Sequence, residues 1–132
     1  MSAPLTRVIE RNVPAVGAAL SDDTVIGQAE FDATVSAVQY IPETTITGAA
    51  TNNRRVELRN AGQTGAGVVT PATLTFGAGT NAAGNDERVI PLSAAPADLT
   101  IVAGDTLVWR SLPVGTGIAD PGGLVRITLS RR

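Results

Sequence analysis

Asp105-Thr-Leu-Val-Trp-Arg-Ser-Leu112 sets Leu107 and Trp109 against Val108 and Arg110. Side chains that alternate with a period of two belong to a β-strand with one covered face; a helix would repeat its apolar residues three and four apart. The same period recurs on either side of this stretch. Downstream, Leu124 to Leu129 places Leu124, Arg126 and Thr128 opposite Val125, Ile127 and Leu129. Upstream, Arg54 to Asn60 turns Arg55, Glu57 and Arg59 outward and Val56 and Leu58 inward, and Thr70 to Phe76 gathers Ala72, Leu74 and Phe76 on one face. Phe31 to Ile41 sets Phe31, Ala33, Val35 and Ala37 against Asp32, Thr34 and Ser36 until Pro42 ends the run. Glu87 to Leu92 and Leu99 to Val102 are shorter runs of the same kind.

Turn-forming clusters separate these runs: residues 47–53, 60–67, 77–85, 103–105 and 120–123, all rich in Gly, Asn, Thr and Ala. Short strands at intervals of ten to fifteen residues, rich in Val, Ile and Thr, predict an all-β fold. The architecture expected is a single β-sandwich or jelly roll of seven or eight antiparallel strands over residues 24–132. Residues 1–23 carry Pro4, Pro14 and scattered apolar side chains with no sustained period, and they read as an extended N-terminal arm. One Trp, one Tyr and two Phe leave the core to aliphatic residues, with Trp109 as its largest candidate member; the other reading of Trp109 is a ligand platform.

A chain of 132 residues is one domain's worth of sequence. It contains neither Cys nor His, and its ten basic residues are all Arg, so there is no Ser-His or Cys-His couple, no Schiff-base lysine and no imidazole or thiolate zinc site. The phosphate-binding and nucleophile-elbow glycine motifs are missing too. No catalytic residue, cofactor or metal is therefore assigned, and the chain is not expected to be an enzyme. Gly104-Asp105-Thr106 approaches an aspartic-protease motif, but Leu107 stands where that motif needs Gly, and a turn feeding a strand accounts for it. Asn81, Asn85, Asp86 and Glu87 offer oxygen ligands for calcium without the required spacing. Arg54, Arg55 and Arg59, with Arg131 and Arg132, are the only basic clusters in a chain of net charge -2. That balance argues against nucleic acid, and Arg54, Arg55 and Arg59 read as the outer face of a strand or as ion-pair partners between subunits.

The N-terminus lacks the pattern of a secretory signal, and no apolar run approaches the ~20 residues that cross a bilayer, so no membrane association is expected. Mean hydropathy is nevertheless +0.16 with only 17% charged residues. The apolar surplus suits burial against partner subunits.

Three stretches carry a family resemblance: Ile46-Thr-Gly-Ala-Ala-Thr-Asn-Asn-Arg-Arg-Val-Glu-Leu-Arg-Asn-Ala-Gly62, Val102-Ala-Gly-Asp-Thr-Leu-Val-Trp-Arg-Ser111 and residues 115–129. In texture and order they resemble the jelly-roll head decoration, or cement, proteins of tailed bacteriophages, those of actinobacteria in particular. The pattern of the lambda-type decoration protein is not found. The resemblance implies a small structural protein, commonly a homotrimer, made in the host cytoplasm. It would sit on the outside of the expanded phage head and tie major capsid subunits together. Under that reading the partner-binding residues are Pro4, Leu5, Val8, Ile9, Val13 and Val16 in the arm, with Arg54, Arg55 and Arg59 as a second group. The competing expectations are a head-fibre or tail-associated trimer that binds a host surface ligand, and a carbohydrate-binding jelly roll.

Overall fold

A computed structural model describes residues 5–132. The alternating runs become strands: β1 (Thr6–Val13), β2 (Asp22–Gln28), β3 (Ala33–Pro42), β4 (Asn53–Asn60), β5 (Val69–Thr75), β6 (Arg88–Val89), β7 (Thr100–Ile101), β8 (Thr106–Val114) and β9 (Gly123–Arg131). A short 3-10 turn, Pro96–Leu99, precedes β7. All strand pairings are antiparallel, and they build two sheets. One runs β1-β9-β3-β6 with β7 also on β3, the other β2-β8-β4-β5. β6 lies opposite Gln39 and Tyr40, and β7 opposite Ala33 and Thr34, so the two act as one interrupted strand along the same edge of β3. Counted that way there are eight strands. Every connection except the β4–β5 hairpin changes sheet, which is the double-sheet jelly roll.

Packing follows the alternation. Leu107 and Trp109 from β8, Val56 and Leu58 from β4, Val125, Ile127 and Leu129 from β9, and Ala72 and Phe76 are all buried between the sheets. The Trp109 and Tyr40 rings meet at 5.5 Å and 48° in the middle of this core. Trp109 is only 1% exposed, so it is a core residue and no ligand platform. β3 departs from the simple period. Val35 pairs with Leu129 and Ala37 with Thr128, leaving Ser36 as the extra residue of a bulge. The bulge shifts the phase by one, so Val38 and Tyr40 point into the core and Ala37 does not.

The N-terminal segment differs most from expectation. An arm through residue 23 would leave the sandwich at residue 24, but β1 pairs with β9 over its whole length, from Thr6↔Ser130 to Val13↔Gly123, and β2 already begins at Asp22. The segment is extended, yet from Thr6 onward it is the first strand of the jelly roll. Its side chains show no period because β1 is an edge strand exposed along nearly all its length. Backbone pairing, not burial of one face, makes it a strand.

The sandwich has two differently closed sides. On one, the segment after β6 crosses from sheet to sheet and covers the β5 edge. Thr73 N–H donates to the Pro91 carbonyl, Ser93 N–H to that of Pro71, and Ile90 N–H to that of Val38 on the opposite sheet. On the other, β1 and β2 lie side by side, and Ile9 lies over Gly27, whose missing Cβ would sit 3.2 Å from Ile9 Cγ2. Arg7, Gln28, Glu30, Phe31 and Leu129 complete a cavity of about 230 Å³ there.

Candidate functional site

Arg54 lies two residues before Val56 on β4, so its side chain points inward with Val56 and Leu58. It has no solvent exposure. Burying a guanidinium without partners would be prohibitive, and the fold surrounds it with oxygen acceptors. Nε donates to the Ile118 carbonyl at 2.6 Å, Nη1 to Ser111 Oγ at 3.0 Å, and Nη2 to the carbonyls of Gly17, Ala18 and Leu20 at 2.9–3.1 Å. Ser111 passes the contact on, donating to Asp120 Oδ2 at 2.7 Å. Asp120 Oδ1 in turn accepts from the Tyr40 hydroxyl at 2.5 Å and from Gly122 N–H at 3.0 Å.

Burial pulls the Arg54 pKa down, and the neighbouring Asp120 carboxylate and Tyr40 oppose that shift. Burial, then the charge and hydrogen bond of Asp120, push the Tyr40 phenol far above its ordinary value. Tyr40, Arg54, Ser111 and Asp120 are each at most 3% exposed. Their groups face one another, so the cluster organises chain segments and offers no reactive atom to a substrate. It fastens the β1–β2 connection and the β8–β9 connection to the two sheets.

Packing around it is close. Gly117, at φ 73°, lies so near the Ala18 carbonyl that any Cβ would overlap it. Beside the cluster an open hollow of about 500 Å³ is lined by small side chains, with Val16, Thr44, Thr45 and Pro121 among them.

The structure separates the residues singled out by sequence. Leu5 and Val8 are exposed, Ile9 is half-buried under the core, and Val13 and Val16 are buried, the latter through a two-bond bridge with Asp120. Pro4 lies outside the described residues. Val13 and Val16 are therefore structural members of this subunit and are closed to a partner. Arg54 is likewise no outward-facing side chain, because the outward set on β4 starts at Arg55. Arg55 is exposed and 3.6 Å from Glu57, which also accepts from Arg110 at 3.0 Å; Arg110 in turn meets Asp23 at 3.0 Å. With Arg59 these charges cover the outer face of the β2-β8-β4-β5 sheet. The opposite outer face carries one ion pair along the β1–β9 pairing, Glu10 with Arg126 at 3.4 Å.

The remaining candidates have local duties. Asp105 Oδ2 accepts from Asn60 Nδ2 and Val102 N–H, both at 2.9 Å, and Gly104 before it adopts φ 93°. This is a turn feeding β8. Asn81 Oδ1 accepts from Gly48 N–H, Asp86 Oδ1 from Glu87 N–H, and Asn85 takes φ 61° to close the same loop. Sequence reasoning missed the Arg54 cluster; the available signal was the inward register of Arg54 itself.

Protein-family models and curated proteins contain no match to this chain. Among solved structures, the fold is similar to a chain in the structure of infectious bursal disease virus Gx strain, with a TM-score of 0.41 and 9% identity. The similarity covers 94% of this chain and 32% of that one, so the chain spans about a third of the length of its structural neighbour.

Proposed function

We propose that the protein is a non-enzymatic capsid decoration protein, binding the outside of an expanded phage head and strengthening contacts between major capsid subunits. The observation that carries this reading is where the three resembling stretches meet. Residues 46–62 supply Arg54, residues 102–111 supply Ser111, and residues 115–129 supply Ile118 and Asp120, all joined in one hydrogen-bonded cluster. The likeness is thus concentrated in the part that sets the shape of the jelly roll. A ligand whose affinity depends on shape and buried area needs such a rigid body. Binding only the mature shell would stabilise it by RT ln(1 + [L]/Kd), about 2.7 kcal/mol per site at a hundredfold excess over Kd.

The alternative carbohydrate-binding reading loses its support, since Trp109 and Tyr40, the two large polar-tipped aromatics, are both buried. Of the expected contact residues, Leu5, Val8, Arg55 and Arg59 remain accessible, and they are the ones retained for the capsid interface. Co-sedimentation with expanded heads stripped of their decoration tests the proposal. Saturation at a fixed ratio to the major capsid protein, with a more heat-resistant shell, is expected. Absence of binding to expanded shells would overturn it.

A further inference from the structure

The sandwich has four sheet edges, and three are blunted. β5 is covered by residues 91–93 and contains Pro71, the β6/β7 edge consists of two-residue pieces, and β2 carries a bulge between Val25 and Gly27. β1 alone is long, regular and free of Pro and bulges: eight consecutive residues pair with β9 without a register shift. A long unbroken edge of this kind is a template for another strand.

The register shows which backbone groups of β1 have no strand partner among the described residues. Arg131 N–H donates to the Leu5 carbonyl, so Leu5 and Arg131 are a hydrogen-bonded pair. Antiparallel pairs alternate, so Arg7, Ile9 and Arg11 also bond to β9, while Thr6, Val8, Glu10 and Asn12 direct their N–H and C=O groups away from the sheet.

We propose that the strand seated on this edge is β1 of a second copy, antiparallel and related by a two-fold axis through Val8. A two-fold pair closes the edge with the same surface on both sides, and charge narrows its register. Two copies of an antiparallel edge can meet only about an axis that passes through one residue; axes near the ends of β1 pair few residues, and of the five central axes, at Arg7 to Arg11, four oppose like charges. An axis at Arg7 faces Arg7 with itself, at Ile9 it faces Arg7 with Arg11, at Glu10 it faces Glu10 with itself, and at Arg11 it faces Arg11 with itself. The axis at Val8 opposes no like charges. It places Val8 on Val8, Arg7 on Ile9, Thr6 on Glu10 and Leu5 on Arg11. Thr6, Val8 and Glu10 then form hydrogen-bonded pairs, with six backbone bonds across the axis, and the 45% exposed Val8 and 48% exposed Leu5 are covered. Arg7 already has its own counter-ion, with Nη2 2.9 Å from Glu30 Oε1, so no free cation is brought to the centre.

This inference does not rest on the capsid reading, but it assigns Leu5 and Val8 to the subunit interface and leaves Arg55 and Arg59 for a capsid, and it replaces the three-fold symmetry that the family resemblance implies with a two-fold. The test is the mass of the purified full chain in solution, by light scattering or sedimentation equilibrium over a micromolar concentration series. The expected result is a species of twice 13.4 kDa. Val8→Lys places like charges face to face on the axis and should weaken dimerisation ~tenfold or more. Val8→Pro removes an N–H that β9 does not use, so it should yield a folded monomer, checked by an unchanged far-ultraviolet circular dichroism spectrum. Hydrogen exchange supplies a second readout, with the Thr6, Val8 and Glu10 amides protected in the dimer and exchanging freely in the Lys variant. A monomeric wild type, a trimer, or a dimer indifferent to both substitutions would each overturn the proposal.

Discussion

Arg54→Ala removes five hydrogen bonds and the one cation in a cluster that is closed to water. The carbonyls of Gly17, Ala18, Leu20 and Ile118 lose their donor, and the Asp120 carboxylate loses the positive charge that helps to hold it in a dry site. Breaking a buried ionic arrangement from one side costs about 3–5 kcal/mol, because the surviving partners stay buried and uncompensated. For 132 residues the unfolding entropy near the midpoint is roughly 0.28 kcal/mol/K. The expected fall in Tm is therefore about 11–18 °C, measured by calorimetry or by denaturant titration followed through Trp109. Total stabilities of about 5–15 kcal/mol leave the variant folded at low temperature but marginal. Hydrogen exchange should show the loss first in residues 16–20, which Arg54 ties to β4. The double variant Arg54→Met/Asp120→Asn should be less destabilised than the two single changes summed, since each relieves the charge the other strands. A loss below about 1 kcal/mol for Arg54→Ala, or strict additivity, would refute the reasoning.

Tyr40 is the chain's one tyrosine, so its titration can be read without interference. Its native pKa is raised above the ordinary 10.0, so the native state holds a proton that the unfolded chain releases. The phenol's contribution is complete below about pH 10 and declines as pH rises above it, and phenolate absorbance should appear only together with unfolding. Tyr40→Phe leaves Asp120 short of one donor and should cost about 1–3 kcal/mol by chemical denaturation. Removing residues 1–23 deletes β1, the start of β2 and the buried Val13 and Val16, so the truncated chain should lose cooperative unfolding in a thermal melt. Gly117→Ala forces a Cβ against the Ala18 carbonyl at a positive φ and should destabilise the fold, by chemical denaturation, by at least as much as a lost core methylene, roughly 1 kcal/mol, whereas Gly62→Ala, with open space around it, should cost less.

Alternation in the sequence was sufficient to identify an all-β sandwich and to place most of its core. β4, β8 and β9 lie between neighbours, so one face of each must be buried, and a period of two records that directly. Val56, Leu58, Leu107, Trp109, Val125, Ile127 and Leu129 could be assigned from it alone. The same signal was silent for β1, an edge strand exposed along nearly all its length, and it lost phase at Ser36, where a bulge inserts an unpaired residue.

Tertiary structure decided what depends on partners distant in the chain. Arg54 looked like one of a surface trio because a charged side chain is normally solvated. Only the fold shows that carbonyls from residues 17–20 and 118, together with Ser111, converge to replace its water. Composition determined what the protein lacks, since an absent side chain cannot be supplied by folding: no imidazole, no thiol, no lysine amine. Which of the apolar residues are free for a partner was beyond it. Leu5, Val8, Val13 and Val16 are chemically alike, and the pairing of β1 with β9 and the Val16–Asp120 bridge leave the first two at the surface and enclose the other two.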